Sequence, residues 1–359
     1  MAGNTTTNGG AFTNDGTIAN NSPVVRAAVY SAMMQEEILD GFLPEGLARD
    51  VSEFGDGSQI IIPQLGNVST IDFTEDTTKG AGQVVDISKN TLTIQKYRGA
   101  KTYITDELKE DSYQAMAIEA AMPRKHLRAL REDYETDMLS QQSKQISATA
   151  SFQAGAYGEG LTNDERCVIN GVPHRWAAGG TNTTLALADF AAAKLALDKA
   201  NVPAEGRIAI VDPVAEATLN NLIGAQGFAP VAQWSALLET GFAQNNRFLA
   251  NIYGFDVYIS NYNATLGAAD TDLRTFDEAY AGVVGTPVEV TGLKTALFMC
   301  VADDEVTPIM SAWRRMPKME GDREVDLFRD VFYSSARWGF GIQRPESLVV
   351  IAHSATAFK

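Results

Sequence analysis

The opening stretch of this 359-residue chain, to about residue 100, holds too little apolar surface to build a core of its own. Residues 1–22 are Asn, Thr or Gly at 14 of 22 positions. Such a segment cannot offset the entropy of ordering its backbone, so by itself it is expected to be disordered. Ser22 and Pro23 then mark a helix start, with Pro at the first helical position and Val24, Ala28 and Val29 following, to about Leu39. From Gly55 to Tyr103 the texture changes to strand. Ile60–Pro63, Thr70–Phe73, Val84–Ile87 and Thr91–Ile94 are short β-branched runs, and Thr77–Gly82 reads as a flexible tip between the second and third. A two-stranded ribbon of this kind is marginal in water. Arm and ribbon must therefore lie on something else, and nothing in the ribbon requires that to be the same chain.

The rest of the chain can fold around itself. Asp106, Glu107, Glu110 and Asp111 crowd a helix N-terminus, where negative charge suits the dipole. Pro123 is expected to interrupt or kink that helix, after which Leu127, Leu130, Tyr134 and Met138 recur at helical spacing to about Ser147. Arg124, Arg128 and Arg131, with Lys125 nearby, form a neighbouring stripe. It reads either as a solvated face or as a contact with an acidic neighbouring subunit or enclosed nucleic acid. Residues 150–184 are rich in Gly, Ala, Thr and Asn, with Asn170-Gly171 as a turn. A compact α/β unit follows. Asp189 is expected to cap a helix carrying Phe190, Leu195 and Leu197, Arg207–Val211 to be a buried strand, and Asp212-Pro213 to open another helix. Helical text runs around Trp234–Phe242, and strands are expected at Asp256–Ser260, Ala296–Val301, Val325–Arg337 and Ser347–Ala352, with a turn at Gly339-Phe340-Gly341. The order argues for an α+β fold with an inserted α/β module.

Composition excludes several functions. There are 45 acidic and 29 basic residues, a formal charge of −16, so the chain repels phosphate overall and is not a free-standing nucleic-acid binder. No segment reaches the roughly 18 consecutive apolar residues of a membrane span, and no basic-then-apolar start suggests a signal peptide. Without a secretory route Asn-X-Ser/Thr sites such as Asn4, Asn67, Asn182 and Asn263 carry no meaning. Cys167 and Cys300 read as buried reduced thiols of a cytoplasmic protein rather than as a disulfide.

Searching for chemistry returns little. The nucleotide-binding, P-loop, nucleophile-elbow and zinc-protease motifs are all missing from the sequence. Gly155–Gly160 has the wrong spacing for a phosphate cradle. His126, His174 and His353 sit in unrelated contexts, without a second ligand at metal spacing. Asp303, Asp304 and Glu305 read as a solvated turn, lacking calcium-loop spacing. Lys79 at the ribbon tip reads as a solubilising lysine, and Trp313-Arg314-Arg315 and Trp338 as core or interface residues rather than base-stacking ones. Catalytic, cofactor-binding and metal residues are thus assigned to none. An α/β enzyme with an unrecognised site stays open as an alternative class.

A polar arm, a long ribbon, a long helix and an α/β module inserted before a returning strand resemble the major capsid protein of tailed bacteriophages, the Hong Kong phage-type fold shared with encapsulins. The resemblance covers nearly the whole chain. Its most familiar text is Gly206–Pro213 before a helix, Tyr253–Ser260 and Gly341–Val350. It implies an N-terminal arm at 1–57 and an extended β-hairpin loop at 58–103. It further implies a peripheral domain with the spine helix at 104–184 plus 312–338, and an axial domain at 185–311 plus 339–359. It also implies a structural protein, not an enzyme, that assembles with itself as hexamers and pentamers into an icosahedral shell in the host cytoplasm and resides in the virion. The shell would enclose double-stranded DNA without sequence-specific binding, with no cofactor and no membrane. Because the arm begins almost at Met1, the resemblance implies either a separate scaffolding protein, beside a portal and a decoration protein, or a sequence that is already processed. Some relatives crosslink Lys to Asn between subunits. Lys79 stands at a suggestive place, but no partner Asn or catalytic Glu matches, so that activity is not carried over. An encapsulin-like compartment is the alternative within the same fold.

Overall fold

The computed structural model describes residues 43–44, 46–52, 57, 59–65, 87–94, 96–111, 115–146, 168–225, 248–268, 270, 272–281 and 287–357. The expected arm helix to Leu39, the strand at Thr70–Phe73, the tip at Thr77–Gly82, the loop at Gly155–Gly160, Cys167 and the helix around Trp234–Phe242 lie outside these residues.

Among the described residues a six-stranded mixed sheet forms the centre. Its strands are β7 (Arg175–Ala177), β8 (Arg207–Val211), β9 (Phe248–Ile252), β10 (Phe255–Ile259), β11 (Lys294–Cys300) and β14 (Leu348–His353), in the order β7-β14-β11-β8-β10-β9. β8 and β14 are buried at every position. The reason lies in the pleat, which sends alternate side chains to opposite faces. Ala209, Val211, Phe298 and Ile351 enter one core with Phe190, Ala193 and Leu197 of helix α3 (Leu187–Lys199) and Leu219 of helix α4 (Pro213–Ala225). Ile208, Ile210, Leu297 and Val350 enter a second core with Leu130, Met138 and Leu139 of helix α2 (Ala115–Ile146). A sheet covered on both faces needs near-continuous apolar strands, which is how these two read.

Local signals place most of these elements. Asn170 (φ 49°) and Gly171 (φ 77°) make the turn between β5 (Val168–Ile169) and β6 (Val172–Pro173). Tyr253 and Gly254 do the same between β9 and β10. Asp212 accepts the Val214 backbone N–H at 3.2 Å and so caps α4 as expected. Asp189 differs from expectation. The helix starts at Leu187, and Asp189 reaches back from its first turn to accept N–H groups of Ala186 (2.9 Å) and Gly179 (3.2 Å) and the Trp176 indole (3.4 Å). It ties a loop and a strand to the helix start, a longer-range role than an N-cap. Leu195 is 39 % exposed, because the core of α3 is lined by Ala192, Ala193 and Ala196 instead.

A second, four-stranded sheet has the order β1-β12-β13-β4, from β1 (Arg49–Asp50), β12 (Ile309–Glu324), β13 (Arg329–Ile342) and β4 (Lys96–Thr105). Helix α1 (Asp106–Asp111) follows β4, and the 32-residue α2 lies along one face of this sheet. The helix is not interrupted at Pro123, and Leu127 is 57 % exposed although it falls on the expected apolar stripe. A proline inside a helix costs about 3 kcal/mol, but the helix is held from outside by packing of Leu130, Tyr134, Met138 and Leu139. Its buried positions are half apolar (Ala121, Leu130, Met138 and Leu139) and half polar (His126, Glu135, Asp137 and Gln141), and the polar half is invisible to an apolar-periodicity argument. Tyr134 sits at the centre, stacked on Trp313 (4.6 Å, 11°) and edge-on to Trp338 (5.8 Å, 70°). Trp338 is fully buried and donates its indole N–H to Asp137 Oδ2 at 3.0 Å. Trp338 is a core residue and Trp313 is half-buried against the same core, in keeping with their apolar context.

The long β12–β13 pair corrects two further expectations. Val325–Leu327 is a short 3-10 turn, and the strand begins only at Arg329. Gly339–Gly341 does not turn but lies inside β13. These glycines admit the ribbon. Strands β2 (Gln59–Leu65) and β3 (Ile87–Thr93) pair antiparallel from Gln59↔Thr93 to Leu65↔Ile87. At the ribbon base Leu92 and Ile94 are buried against Met310 and Ala312. A Cβ at Gly339 would lie 2.9 Å from Ile94 Cα and 3.0 Å from Thr93 O, too close for backbone that is itself packed. Gly339→Ala is expected to cost about 1–3 kcal/mol, the range of overpacked cores, and to loosen the ribbon base. Urea denaturation of the subunit checks this, and an unchanged midpoint would mean that the base gives way freely.

Candidate assembly surface

The two faces of the four-stranded sheet differ sharply. The helix-facing side carries the aromatic cluster, Lys96 paired with Asp137 (2.9 Å), Arg98 paired with Asp133 (3.1 Å), and His126 between Thr102 and Ser334. On the other side the register aligns Tyr97 with Arg337 and Arg315, and Lys101 with Tyr333 and Glu320. Glu324 accepts Lys101 Nζ (3.0 Å), Tyr333 Oη (3.1 Å) and Arg329 Nε (2.6 Å). Lys101 and Arg329 hold its carboxyl down to about 2. Arg329 lies over the Tyr103 ring at 4.5 Å. Tyr97 and Tyr103 are 63 % and 56 % exposed, so this face is a partly aromatic, charge-laced surface.

At its far end the hairpin projects an apolar knob. Val325, Leu327 and Phe328 are all more than half exposed, and Phe328 has a left-handed backbone (φ 48°), uncommon for a bulky residue. The knob is braced by its own chain. The Phe328 carbonyl accepts the Asp106 N–H at 3.0 Å. Arg323 forks onto Asp106 (2.7 and 2.9 Å) and reaches Asp330 at 2.9 Å, while Lys109 also contacts Asp330. Arg323 and Lys109 keep the Asp106 and Asp330 carboxyls below their usual range. Exposed ion pairs contribute little stability each, but a bidentate network fixes geometry. Sequence reasoning missed this knob because Val325-Asp326-Leu327 alternates like strand.

The sequence's other candidates do not converge. Among the described residues no group of three His, Cys, Asp or Glu could hold a metal ion, and no helix is long and apolar enough to cross a membrane. Asp303, Asp304 and Glu305 lie exposed between β11 and β12. Cys300 is a buried thiol raised by burial. In the basic stripe, Arg128 pairs with Glu132 one turn on (3.0 Å), and Glu132 also accepts the Tyr262 hydroxyl.

Two histidines are buried for structural reasons, with a pH consequence. His174 is fully buried, with Nδ1 3.1 Å from the Val172 carbonyl, and burial lowers it to about 4. His353 is lowered for the same reason. The unfolded chain therefore binds these protons near pH 6.5 while the folded chain refuses them. Stability is complete above pH 6.5 and falls as pH drops, by about 2 kcal/mol from His174 alone at pH 5 and about 3 kcal/mol below its folded value. Thermal melts of the subunit between pH 7.5 and 5 should show this slope, and His174→Asn should flatten it. An equal slope in the variant would place the effect elsewhere.

A family model described as phage capsid protein matches residues 89–351, from the ribbon's return strand to the last strand of the central sheet. The chain belongs to this phage capsid protein family. Solved structures agree at the level of the fold. The capsid of the cyanophage P-SCSP1u superposes with a TM-score of 0.62 at 14 % identity, covering 93 % of this chain and 94 % of that one. A structure from Mycobacterium phage Che8 follows at 0.59 and 16 %, covering 91 % and 97 %. The SrpI encapsulin of Synechococcus elongatus shares the fold at 0.55 and 10 %, covering 92 % and 95 %. No curated protein matches significantly. The capsid protein is thus a shell subunit of a virion with the tailed-phage fold expected from its sequence.

Proposed function

We propose that this capsid protein assembles with itself, as hexamers and pentamers, into an icosahedral shell that encloses double-stranded phage DNA without reading its sequence, and that it catalyses no reaction. The observation that carries this is the braced hairpin. A 16-residue strand paired with a 14-residue one presents a bare aromatic face and an apolar knob, held rigid by ion pairs of its own chain. A scaffold that spends so much structure on presenting an unpartnered surface is built to meet another copy. On this reading residues 1–57 are the arm and 58–103 the extended loop. Residues 104–184 plus 312–338 form the peripheral domain, and 185–311 plus 339–359 the axial domain. The acidic balance suits a container, because a strongly basic wall would bind packed DNA. A separate scaffolding protein, a portal and a decoration protein are the partners proposed, with assembly in the host cytoplasm.

Electron microscopy of the purified chain tests this. Closed shells or curved sheets are the expected result, and discrete small oligomers would overturn it. Shells holding packaged protein instead of DNA would favour a compartment like the encapsulin whose fold it shares.

A further inference from the structure

On the bare face, at the ribbon end of the sheet, lies an open pocket of ≈ 490 Å³ lined by Tyr97, Arg314, Arg315 and Arg337. Its size falls within the roughly 300–1,000 Å³ of small-ligand sites. Adjacent residues of a regular strand point to opposite faces, so Arg314 and Arg315 would normally be separated. Here Trp313 pairs with Trp338 and Arg315 with Arg337, which leaves one extra residue in β12, and a second extra residue follows before Lys318. These bulges re-aim side chains and bring three guanidiniums to one opening. The register also puts Arg315 directly opposite Arg337, and Arg337 opposite Tyr97, in a row across β12, β13 and β4. Like charges directly opposite on neighbouring strands, with Cβ atoms about 4.5–5.5 Å apart, destabilise a sheet.

The chain does little to relieve that opposition. Arg337 pairs with no carboxylate among the described residues and reaches the Ile94 carbonyl at 3.4 Å. Arg315 reaches Tyr97 Oη at 3.4 Å and Glu320 at 3.6 Å, while Lys318 holds the same carboxylate at 2.5 Å. These are long contacts for guanidiniums, which take anionic oxygens at about 2.7–2.9 Å. One anion lying between the two forks would satisfy both. We infer that this pocket binds a phosphate group between the Arg315 and Arg337 guanidiniums, with Arg314 and Tyr97 at its rim. A carboxylate offers two oxygens in one plane and fills a single fork. A phosphate offers three oxygens and a charge of about −1.5 to −2, enough for two forks at once. The net charge of −16 does not forbid this, because it is spread over the chain and screened beyond about 8 Å at physiological salt. Tyr97, 63 % exposed, adds a flat ring on which a base can stack. The phosphate can therefore be free or belong to a nucleic-acid backbone. The inference concerns the single subunit and does not depend on shell formation.

Calorimetric titration of dissociated full-chain subunits tests it with two probes, inorganic phosphate and a single-stranded oligonucleotide, and with acetate at equal ionic strength as the control. Saturable binding of a phosphate probe is expected, with acetate at least tenfold weaker. Binding of inorganic phosphate assigns the site to a free phosphate, and binding of the oligonucleotide alone assigns it to a nucleic-acid backbone. No saturable binding of either probe overturns the inference, as does acetate binding equally well. Arg315→Gln/Arg337→Gln is expected to weaken the phosphate probe at least tenfold, and an unchanged affinity overturns the proposal. Should that double variant fail to fold, Arg337→Gln alone removes one of the two opposed charges and leaves Arg315 beside Tyr97. The bound probe raises the melting midpoint of the unaltered subunit by mass action. An equal rise in Arg337→Gln would show that the ion binds elsewhere.

Discussion

Truncating Trp338 to alanine is expected to destabilise the subunit by about 3–5 kcal/mol, the range for large aromatic side chains removed from a core. The indole is fully buried, packs edge-on to Tyr134 and lies 5.6 Å from Trp313. Its N–H also satisfies one oxygen of Asp137, whose other oxygen is held by Lys96. Removing it opens a cavity at the junction of α2, β12 and β13 and leaves half of a buried carboxylate unserved, which adds to the loss. Trp338→Phe keeps most of the bulk and should cost less, so the two variants separate packing from hydrogen bonding. Urea denaturation of dissociated subunits measures both. A loss below about 1 kcal/mol for the alanine variant would mean that the helix is not anchored on this sheet through the aromatic cluster.

Placing aspartate at Leu327 and Phe328 together should do the opposite: leave the subunit folded and abolish assembly. Both side chains are more than half exposed and belong to none of the three cores, so the fold should change by no more than about 0.5 kcal/mol. In a shell each knob that docks on a neighbour would act as a buried apolar anchor, and losing such anchors typically costs 2 kcal/mol or more per contact. Repeated over every copy, that prevents closure. Thermal melts of subunits together with micrographs of assembly read the two effects apart. Normal shells at the usual concentration would show that the knob faces solvent in the assembly.

Much of the central sheet was legible before any coordinates. Arg207–Val211 read as a buried strand and Ser347–Ala352 as a strand because a sheet covered on both faces needs near-continuous apolar runs, and Asp212-Pro213 carries its own helix start. The four-stranded sheet was read less well, for identifiable reasons. β12 contains Pro317, Gly321 and two bulges, so it shows no period of two, and it was not recognised as a strand. Gly339 and Gly341 resemble a turn in sequence, yet they serve a close approach of another strand. Apolar periodicity located Leu130, Tyr134 and Met138 of α2, but it also pointed to the exposed Leu127 and could not report the buried His126, Glu135, Asp137 and Gln141.

Of the candidate surface, the sequence alone conveyed that arm and ribbon lack a core, that the chain is acidic, and that no catalytic motif is present. It also conveyed the order of elements that matches a capsid fold. These are properties of composition and of short-range pattern, which every segment carries within itself. Where the knob projects, which face of the sheet stays bare, and that Arg314, Arg315 and Arg337 share one pocket were settled only by tertiary structure. Each depends on pairing between residues more than twenty positions apart, or on a register shift of one residue. A slip of one residue sends a side chain to the opposite face, so no local signal can report which face an arginine finally occupies.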